Sequence, residues 1–382
     1  MTTPQGPCDV LVIGAGVIGL ATAWRTAARG LRVTVVDPDP AGGASRVAAG
    51  MLTPVSELTY GEEPLLRLGI ASRDRYAAFA AELEESSGHE TGYRRDGILE
   101  VAFDADDLAF LDDLRRFQES LGVATEALTG RECRRLEPML APSVRGGLLA
   151  PEDGSVDPRR LAPALLAACE KAGVRLVRDR AAALVVERDT ATGVRLADGG
   201  ELRAAKVLLA AGAWSNDLDG LPEGVVPEVR PVKGQVVRLR TRTPFLGRCT
   251  RGVVRGSSIY LVPRADGEIV VGATQEEMGF DTTVTAGGLW QLLRDARDLL
   301  PGITELEFAE VSAGLRPGSP DNAPVLGASA LPGLFLATGH FRNGVLLTPV
   351  TADVMAEILV DGTVPEVAAP FAPGRFTVEA RA

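Results

Sequence analysis

Residues 9–37 read DVLVIGAGVIGLATAWRTAARGLRVTVVD, and this stretch decides the fold of the N-terminal part of the chain. The apolar run at residues 10–13 is long enough for a buried strand and too short for a helix. An alanine-rich segment of helix length follows at residues 17–28, and residues 33–36 form a second buried-strand run. The pattern therefore predicts a strand–helix–strand unit of a parallel sheet.

Three glycines and one acid predict the ligand of this unit. Gly14, Gly16 and Gly19 have the G-x-G-x-x-G spacing, which permits a tight turn, a close approach of pyrophosphate and close helix–strand packing, respectively. The helix N-terminus offers unpaired N–H groups to the phosphates. Asp37 is placed to accept hydrogen bonds from a ribose 2′-hydroxyl, and its charge would repel a 2′-phosphate. We therefore expect a dinucleotide site.

Length and composition limit the class of protein. With 382 residues the chain is too long for one core of typical size, so we expect two domains. We find no membrane-spanning apolar run and no secretory signal, and we expect a cytoplasmic protein. The net charge of −11 argues against nucleic acid or an anionic membrane as the main partner. The scattered cysteines and the two histidines match no metal or disulfide pattern, so no metal is expected and redox chemistry would need an organic cofactor.

Two later segments are expected to reach the same ligand. Residues 207–211 form a buried-strand run that ends at Gly212, and this strand should lie beside the first one. Near the C-terminus, a strand at residues 333–337 precedes a predicted helix at residues 346–359. The N-terminus of that helix would face the same crevice, where its dipole could stabilise negative charge.

The middle of the chain has a different pattern. Three β-rich runs separated by turns predict an antiparallel sheet, and they lie at residues 232–239, 258–263 and 268–273. Residues 146–150 begin with two glycines and predict a turn region. The three β-rich runs are expected to form the second domain.

Several motifs together resemble one family. The motifs are IGAGVIG with Asp37, RVAAGML, LLAAGAWS, IYLVPR, VVGATQE, GLRPGSPDNAPVLG and TGHFRNGVLLTP. Together they are similar to motifs of the D-amino-acid oxidase superfamily of flavoproteins, and within it of the glycine oxidases. The resemblance extends from residue 9 to about residue 362. It implies non-covalent FAD and the oxidation of glycine, sarcosine or small D-amino acids by O2, giving glyoxylate or another 2-oxo acid, ammonia or an amine, and H2O2. It also implies a link to thiamine biosynthesis.

The resemblance further implies roles for individual residues. Tyr260, Arg316 and Arg342 would orient the substrate, and Gln275 and Ser258 would line its pocket. Glycine oxidases have methionine and histidine at these last two positions, so the substrate range stays open. The residues that would contact FAD are Gly14, Gly16, Val17, Ile18, Gly19, Asp37, Pro38, Ser45, Arg46, Ala49, Gly50, Met51, Ala183, Gly212, His340, Phe341, Arg342, Asn343, Gly344, Val345 and Leu346.

These side chains suit the implied chemistry, although each has an ordinary structural alternative. An arginine can hold a carboxylate through two parallel hydrogen bonds. If the amine arrives neutral, its lone pair helps to expel the hydride, and no side-chain base is required. Local sequence alone favours an ordinary surface arginine before a turn at Arg316, and it equally allows Tyr260 to be a packing residue. Arg342 is harder to dismiss, because a cation at a helix start opposes the helix dipole.

We therefore predict an α/β fold with an α+β second domain. A Rossmann-like FAD-binding domain of the D-amino-acid oxidase type would comprise residues 8–85, 145–218 and 318–364. A mainly antiparallel-sheet substrate domain would comprise residues 86–144 and 219–317, and residues 365–382 would form a tail. The resemblance also suggests a homo-oligomer, specifically a tetramer. The alternative functions are an amino-acid dehydrogenase that passes electrons to a quinone or carrier, and a non-catalytic flavoprotein.

Overall fold

The computed structural model describes residues 8–376. The predicted tail therefore lies partly outside the described residues. The helices are α1 (Val17–Ala28), α2 (Gly43–Val47), α3 (Glu63–Ser87), α4 (Ala105–Ser120), α5 (Gly130–Leu136), α6 (Pro158–Lys171), α7 (Ala286–Leu299) and α8 (Thr348–Asp361). The strands are β1 (Cys8–Ile13), β2 (Val33–Val36), β3 (Met51–Leu52), β4 (Ile98–Ala102), β5 (Glu126–Thr129), β6 (Gly146–Ala150), β7 (Gly154–Ser155), β8 (Arg175–Val177), β9 (Ala181–Glu187), β10 (Thr190–Leu196), β11 (Glu201–Leu209), β12 (Arg230–Arg240), β13 (Cys249–Val254), β14 (Ser257–Pro263), β15 (Glu268–Gly272), β16 (Glu307–Gly318), β17 (Val325–Ala328) and β18 (Leu334–Thr338).

The first sheet contains the predicted strand–helix–strand unit. Its order is β17-β18-β11-β1-β2-β8, and all neighbours are parallel except β17 with β18. Strands β9 and β10 form a hairpin, and β10 also pairs antiparallel with β11. The prediction that the strand ending near Gly212 lies beside the first strand is confirmed, because Leu11 of β1 pairs with Val207 of β11.

Strand β1 is buried on both faces, as a central parallel strand requires. Val10 and Val12 pack in a core with helices α1, α3, α6 and α8. Leu11 and Ile13 pack instead with the β9–β10 hairpin. The carboxyl ends of β1, β11 and β18 therefore open at one edge of the sheet, where ligands of open α/β sheets bind.

The second sheet confirms the predicted antiparallel region and enlarges it. Its order is β16-β12-β15-β14-β13-β4-β6-β5, with only β13 and β4 parallel. The prediction of a turn region at residues 146–150 is wrong, because these residues form β6 between β4 and β5. The two glycines serve close packing there, since a Cβ at Gly147 would approach the Glu100 carbonyl oxygen to 2.5 Å. Strand β6 lies in this second sheet although its residues fall in a segment predicted for the first domain; the domain boundaries themselves stay a prediction.

Alternation along these strands gives the second sheet two different faces. Leu99, Val101, Ile259 and Leu261 pack in a core that includes Leu292 of α7. The residues between them point to the opposite face, because successive side chains of a strand alternate. Pairing across the sheet aligns Glu100 with Arg251, Arg251 with Tyr260, and Tyr260 with Gly272. A row of polar side chains thus faces away from α7.

The C-terminal helix begins two residues later than predicted. Helix α8 starts at Thr348, and a 3₁₀ turn at Phe341–Asn343 connects it to β18. Among the described residues, no helix is both long enough and apolar enough to cross a membrane.

Candidate functional site

A large cavity of about 840 Å³ lies between the two sheets. It begins at the carboxyl ends of the parallel strands, at Gly14 and Gly212, and reaches the inner face of the second sheet at Tyr260 and Arg316. The predicted site residues that line it are Gly14, Gly16, Val17, Ile18, Asp37, Pro38, Ser45, Ala49, Gly50, Met51, Gly212, Ser258, Tyr260, Gln275, Arg316, His340, Phe341, Arg342, Gly344 and Val345.

Five predicted residues do not line the cavity. Gly19 is a buried residue in the first turn of α1, and the Arg46 side chain is exposed. Ala183 lies on β9, where Ala181 on the same face of the strand lines the cavity instead. Asn343 and Leu346 border a small neighbouring depression.

The glycine turn after β1 has the predicted geometry. Gly14 has φ = +106°, a conformation that favours glycine, and a Cβ there would overlap the Ala210 carbonyl. A Cβ at Gly19 would overlap the carbonyl oxygen of Gly14, so this glycine permits the close helix–strand packing expected of it. Gly16 is the N-cap of α1, and the Val17 N–H donates to the Ser45 hydroxyl at 3.1 Å. The turn leaves backbone N–H groups close to the cavity, as a pyrophosphate site requires.

Two backbone N–H groups hold the Asp37 carboxylate at the end of β2. Its Oδ2 accepts from the Ala15 N–H and its Oδ1 from the Asp39 N–H, each at 2.7 Å. Each carboxylate oxygen can accept a further hydrogen bond. The carboxylate lines the cavity, and this placement supports its predicted contact with a ribose hydroxyl.

Arg316 lies on the face of the second sheet that meets the cavity. Its Nη1 donates to the Thr274 carbonyl at 3.2 Å and lies 3.5 Å from the Lys233 carbonyl. Gly234 makes room for it, because a Cβ there would overlap the guanidinium. Within residues 8–376, no carboxylate lies within the 4.0 Å ion-pair distance of Arg316. Arg316 is therefore a half-buried cation whose charge has no acidic partner in that part of the chain.

Tyr260 contacts Arg316 at the same end of the cavity. Burial raises the pKa of the Tyr260 hydroxyl, whereas the charge of Arg316 and a hydrogen bond to it act in the opposite direction. The hydroxyl therefore stays protonated at neutral pH and can donate a hydrogen bond. A Cβ at Gly272 would overlap the Tyr260 hydroxyl, so this glycine also preserves space in the site.

The other cavity arginines already have acidic partners. Arg342 Nη2 lies 2.5 Å from a carboxylate oxygen of Glu62, and its Nε lies 4.0 Å from Glu57. Arg251 lies 3.3 Å from Glu57 and 3.7 Å from Glu100. Arg180, which also lines the cavity, lies 3.7 Å from Asp217. These three arginines are thus largely neutralised, and of the four Arg316 is the one suited to receive an anionic ligand.

The reading of the sequence missed Glu57, Glu100 and Arg251, which all line the cavity. Glu100 stands between apolar residues of β4, and Arg251 lies on β13, which was not predicted as a strand. A charged residue inside an alternating apolar strand was the available signal for Glu100. Burial raises the pKa of Glu100, and the charge of Arg251 opposes that rise.

Comparison with known proteins identifies the family. The family model described as FAD dependent oxidoreductase (DAO) matches residues 9–358. The chain belongs to this DAO family. The chain is 35% identical to a glycine oxidase of Geobacillus kaustophilus, with 92% of each chain covered. The crystal structure of glycine oxidase from Geobacillus kaustophilus superposes with a TM-score of 0.91 and 32% identity, covering 98% of this chain and 100% of that one.

A further similarity is to longer proteins. The chain is 37% identical to a bifunctional protein ThiO/ThiG of a Synechocystis strain over 97% of its own residues, but it covers only 54% of that protein. It thus spans about half the length of the bifunctional relatives that it matches.

Members of the DAO family use FAD, and the cavity fits this cofactor. The Gly14–Gly16 turn and the α1 N-terminus would hold the pyrophosphate, and Asp37 would hold the adenosine ribose. His340 and Gly344 line the cavity and would border the flavin ring. Burial lowers the pKa of His340 to about 3, and its Nε2 hydrogen-bonds the Thr351 hydroxyl at 3.1 Å. His340 is therefore a neutral residue at physiological pH.

A buried acid next to the cavity gives a prediction for stability. Asp153 is fully buried, and its carboxylate accepts from the N–H and the hydroxyl of Ser56, which lines the cavity. Burial raises the pKa of Asp153 from 3.8 to about 6, against the opposing hydrogen bonds from Ser56. The folded state therefore binds the Asp153 proton more tightly than the unfolded chain does. The contribution of Asp153 to the free energy of unfolding is complete below pH 3.8 and is lost as the pH rises through 6.

Asp153→Asn should remove this pH dependence, since an amide does not titrate. The free energy of unfolding of the variant, relative to wild type, should rise by up to about 3 kcal/mol between pH 4 and pH 8. Chemical denaturation at several pH values measures it. The exposed Asp113→Asn should show no such trend, and parallel curves for wild type and Asp153→Asn would contradict the prediction.

Proposed function

We propose that this protein is an FAD-dependent oxidase of glycine and other small amines or amino acids. The observation that carries the proposal is the position of Arg316, whose guanidinium has no acidic partner among residues 8–376 and lies beside Tyr260 in the same cavity as the dinucleotide turn. A substrate of this class has one carboxylate that needs a cation and is small enough for the space left beside a bound cofactor. The similarity to glycine oxidases supports the same substrate class.

The residues of the chain would orient the substrate rather than exchange its protons. Arg316 can bind the carboxylate through two hydrogen bonds, and the Tyr260 hydroxyl can donate a third. Holding the substrate in one orientation can lower the barrier by several kcal/mol, about 7 in favourable intramolecular reactions. FAD held at the Gly14–Gly16 turn and Asp37 would supply the two-electron oxidation with O2 as the acceptor, so that glycine, O2 and water give glyoxylate, ammonia and H2O2.

Two polar residues of the cavity near Tyr260 affect which substrates can fit. Gln275 and Ser258 line the cavity where glycine oxidases have methionine and histidine. Serine is much smaller than histidine and glutamine is slightly smaller than methionine, so the two side chains leave space for a substituent on the substrate nitrogen or on Cα. We therefore expect sarcosine and D-alanine to be oxidised along with glycine.

The test uses the purified yellow protein. Glycine, sarcosine, D-alanine and D-proline are supplied under air, and H2O2 and the 2-oxo acid are measured together. We expect equal amounts of both products. Substrate-dependent reduction of a dye without H2O2 would instead identify a dehydrogenase, and flavin that no substrate bleaches without oxygen would identify a non-catalytic flavoprotein.

Three further predictions concern the metabolic pathway, the division into domains and the oligomeric state. The bifunctional ThiO/ThiG relatives support the predicted link to thiamine biosynthesis. The two-domain division and the homotetramer stay predictions, which limited proteolysis and light scattering would test.

A further inference from the structure

A buried lysine lies behind the substrate end of the cavity. Lys233 on β12 is completely buried, and its Nζ lies 3.4 Å from a carboxylate oxygen of Glu276 and 3.5 Å from one of Asp281. A buried ammonium group needs such partners, because burial of an unpaired charge is costly. Lys233 is absent from the cavity wall itself, so the substrate-binding geometry does not account for it.

Both acids belong to residues 273–285, which we call the wall segment. This segment joins β15 to α7, and its Gln275 lines the cavity. Glu276 accepts hydrogen bonds from the Thr274 hydroxyl at 2.6 Å and from Gln235 Nε2 at 2.7 Å. Burial raises the pKa of Glu276, but these hydrogen bonds and Lys233 lower it overall, so Glu276 is ionised at neutral pH.

The same segment contacts Arg316. Arg316 Nη1 donates to the carbonyl of Thr274, two residues before Glu276, and approaches the carbonyl of Lys233. The backbones of Lys233 and Glu276 also exchange two hydrogen bonds of 2.9 Å. An ionised carboxylate therefore lies on the segment that contacts Arg316, yet it pairs with Lys233 and not with Arg316.

We propose that Lys233 is a positioning residue that holds the Glu276 carboxylate away from Arg316 and so keeps this guanidinium free for the carboxylate of the substrate. Without the lysine charge, Glu276 would lose its cationic partner, and Arg316 would be the nearby guanidinium that lacks an acid. An ion pair between Glu276 and Arg316 would then compete with the substrate. The inference rests on the proposed function, because it assumes that Arg316 binds a carboxylate.

Four variants of the FAD-loaded protein test this proposal. They are Lys233→Met, Glu276→Gln, the double variant that combines both, and Lys171→Met as a surface lysine control. The measurements are KM and kcat for glycine, and the dissociation constant of acetate from its perturbation of the flavin spectrum. Lys233→Met should raise KM and the acetate dissociation constant on the order of tenfold with little change in kcat, because ground-state binding is lost.

The double variant gives the decisive result. Removal of the Glu276 charge should return KM and the acetate dissociation constant to within about twofold of wild type. The remaining acid, Asp281, is exposed to solvent and accepts a hydrogen bond from the Thr283 N–H, so it is not expected to replace Glu276 as a competitor. A purely structural role of Lys233 would lower the melting temperature and would not be rescued by Glu276→Gln. Unchanged acetate binding in Lys233→Met, or a folded double variant that still binds acetate weakly, would overturn the proposal.

A second variant and the acetate measurement distinguish failure to fold, failure of the proposed function and failure of the inference about Lys233. If Lys233→Met does not fold, Lys233→Gln retains an amide donor for Glu276 without the charge, and the same weakening of acetate binding is expected. If wild type binds acetate but does not oxidise glycine, the proposed function fails while the inference about Lys233 stands or falls on acetate binding alone.

Discussion

Arg316→Leu should bind FAD as wild type does and lose about a thousandfold in kcat/KM for glycine. The variant removes two charge-assisted hydrogen bonds to the substrate carboxylate, which together contribute about 4 kcal/mol. Because the guanidinium donates only weakly to protein carbonyls and has no acidic partner among residues 8–376, its removal should cost little stability. Steady-state kinetics, the flavin absorbance and thermal unfolding measure the three quantities.

Two comparisons sharpen this prediction. Arg242→Leu replaces an exposed arginine of the same size and should change none of the three quantities. Arg342→Leu should act differently, because it leaves Glu62 without its cation and leaves Glu57 with Arg251 alone, and it should therefore lower the melting temperature. Loss of the yellow colour in Arg316→Leu would show that this arginine supports the cofactor and would contradict its assignment to the substrate.

Gly19→Ala should yield protein with little bound FAD and with stability lowered by about 3 kcal/mol or more. The added Cβ would overlap the Gly14 carbonyl oxygen and also approach Val12 to 3.3 Å, so α1 must move away from β1. That movement displaces the turn whose N–H groups face the pyrophosphate. The FAD content after purification and the unfolding transition with added FAD measure the effect.

Gly287→Ala is the matched control for this substitution. Gly287 lies in the first turn of α7, and a Cβ there meets nothing within 4 Å. The change should leave FAD content unaltered and keep or slightly raise the melting temperature, because alanine favours a helix. Equal behaviour of the two variants would show that close packing at Gly19 does not determine cofactor binding.

Much of the fold follows from local patterns. The strand–glycine–helix–strand order of residues 9–37 appears in the structure as β1, α1 and β2, because strand length, helix period and glycine conformation depend on neighbouring residues. Where the local pattern was ambiguous, the expectation failed. The glycines of residues 146–150 predict a turn, but in the folded chain they permit close packing of β6 against β4 and β5.

The sequence by itself determined the dinucleotide turn, the acid at Asp37 and the types of residue that could bind an amino acid. It could not decide which of Arg316 and Arg342 would be free to bind a carboxylate, because neither arginine has an acidic residue beside it in the sequence. Only the tertiary structure decided that Arg342 pairs with Glu62, 280 residues away in the chain, and that Arg316 hydrogen-bonds carbonyl groups and Tyr260 and has no acidic partner among residues 8–376. The availability of a charge depends on every acid that folding brings near it, and pairings over such separations leave no local pattern.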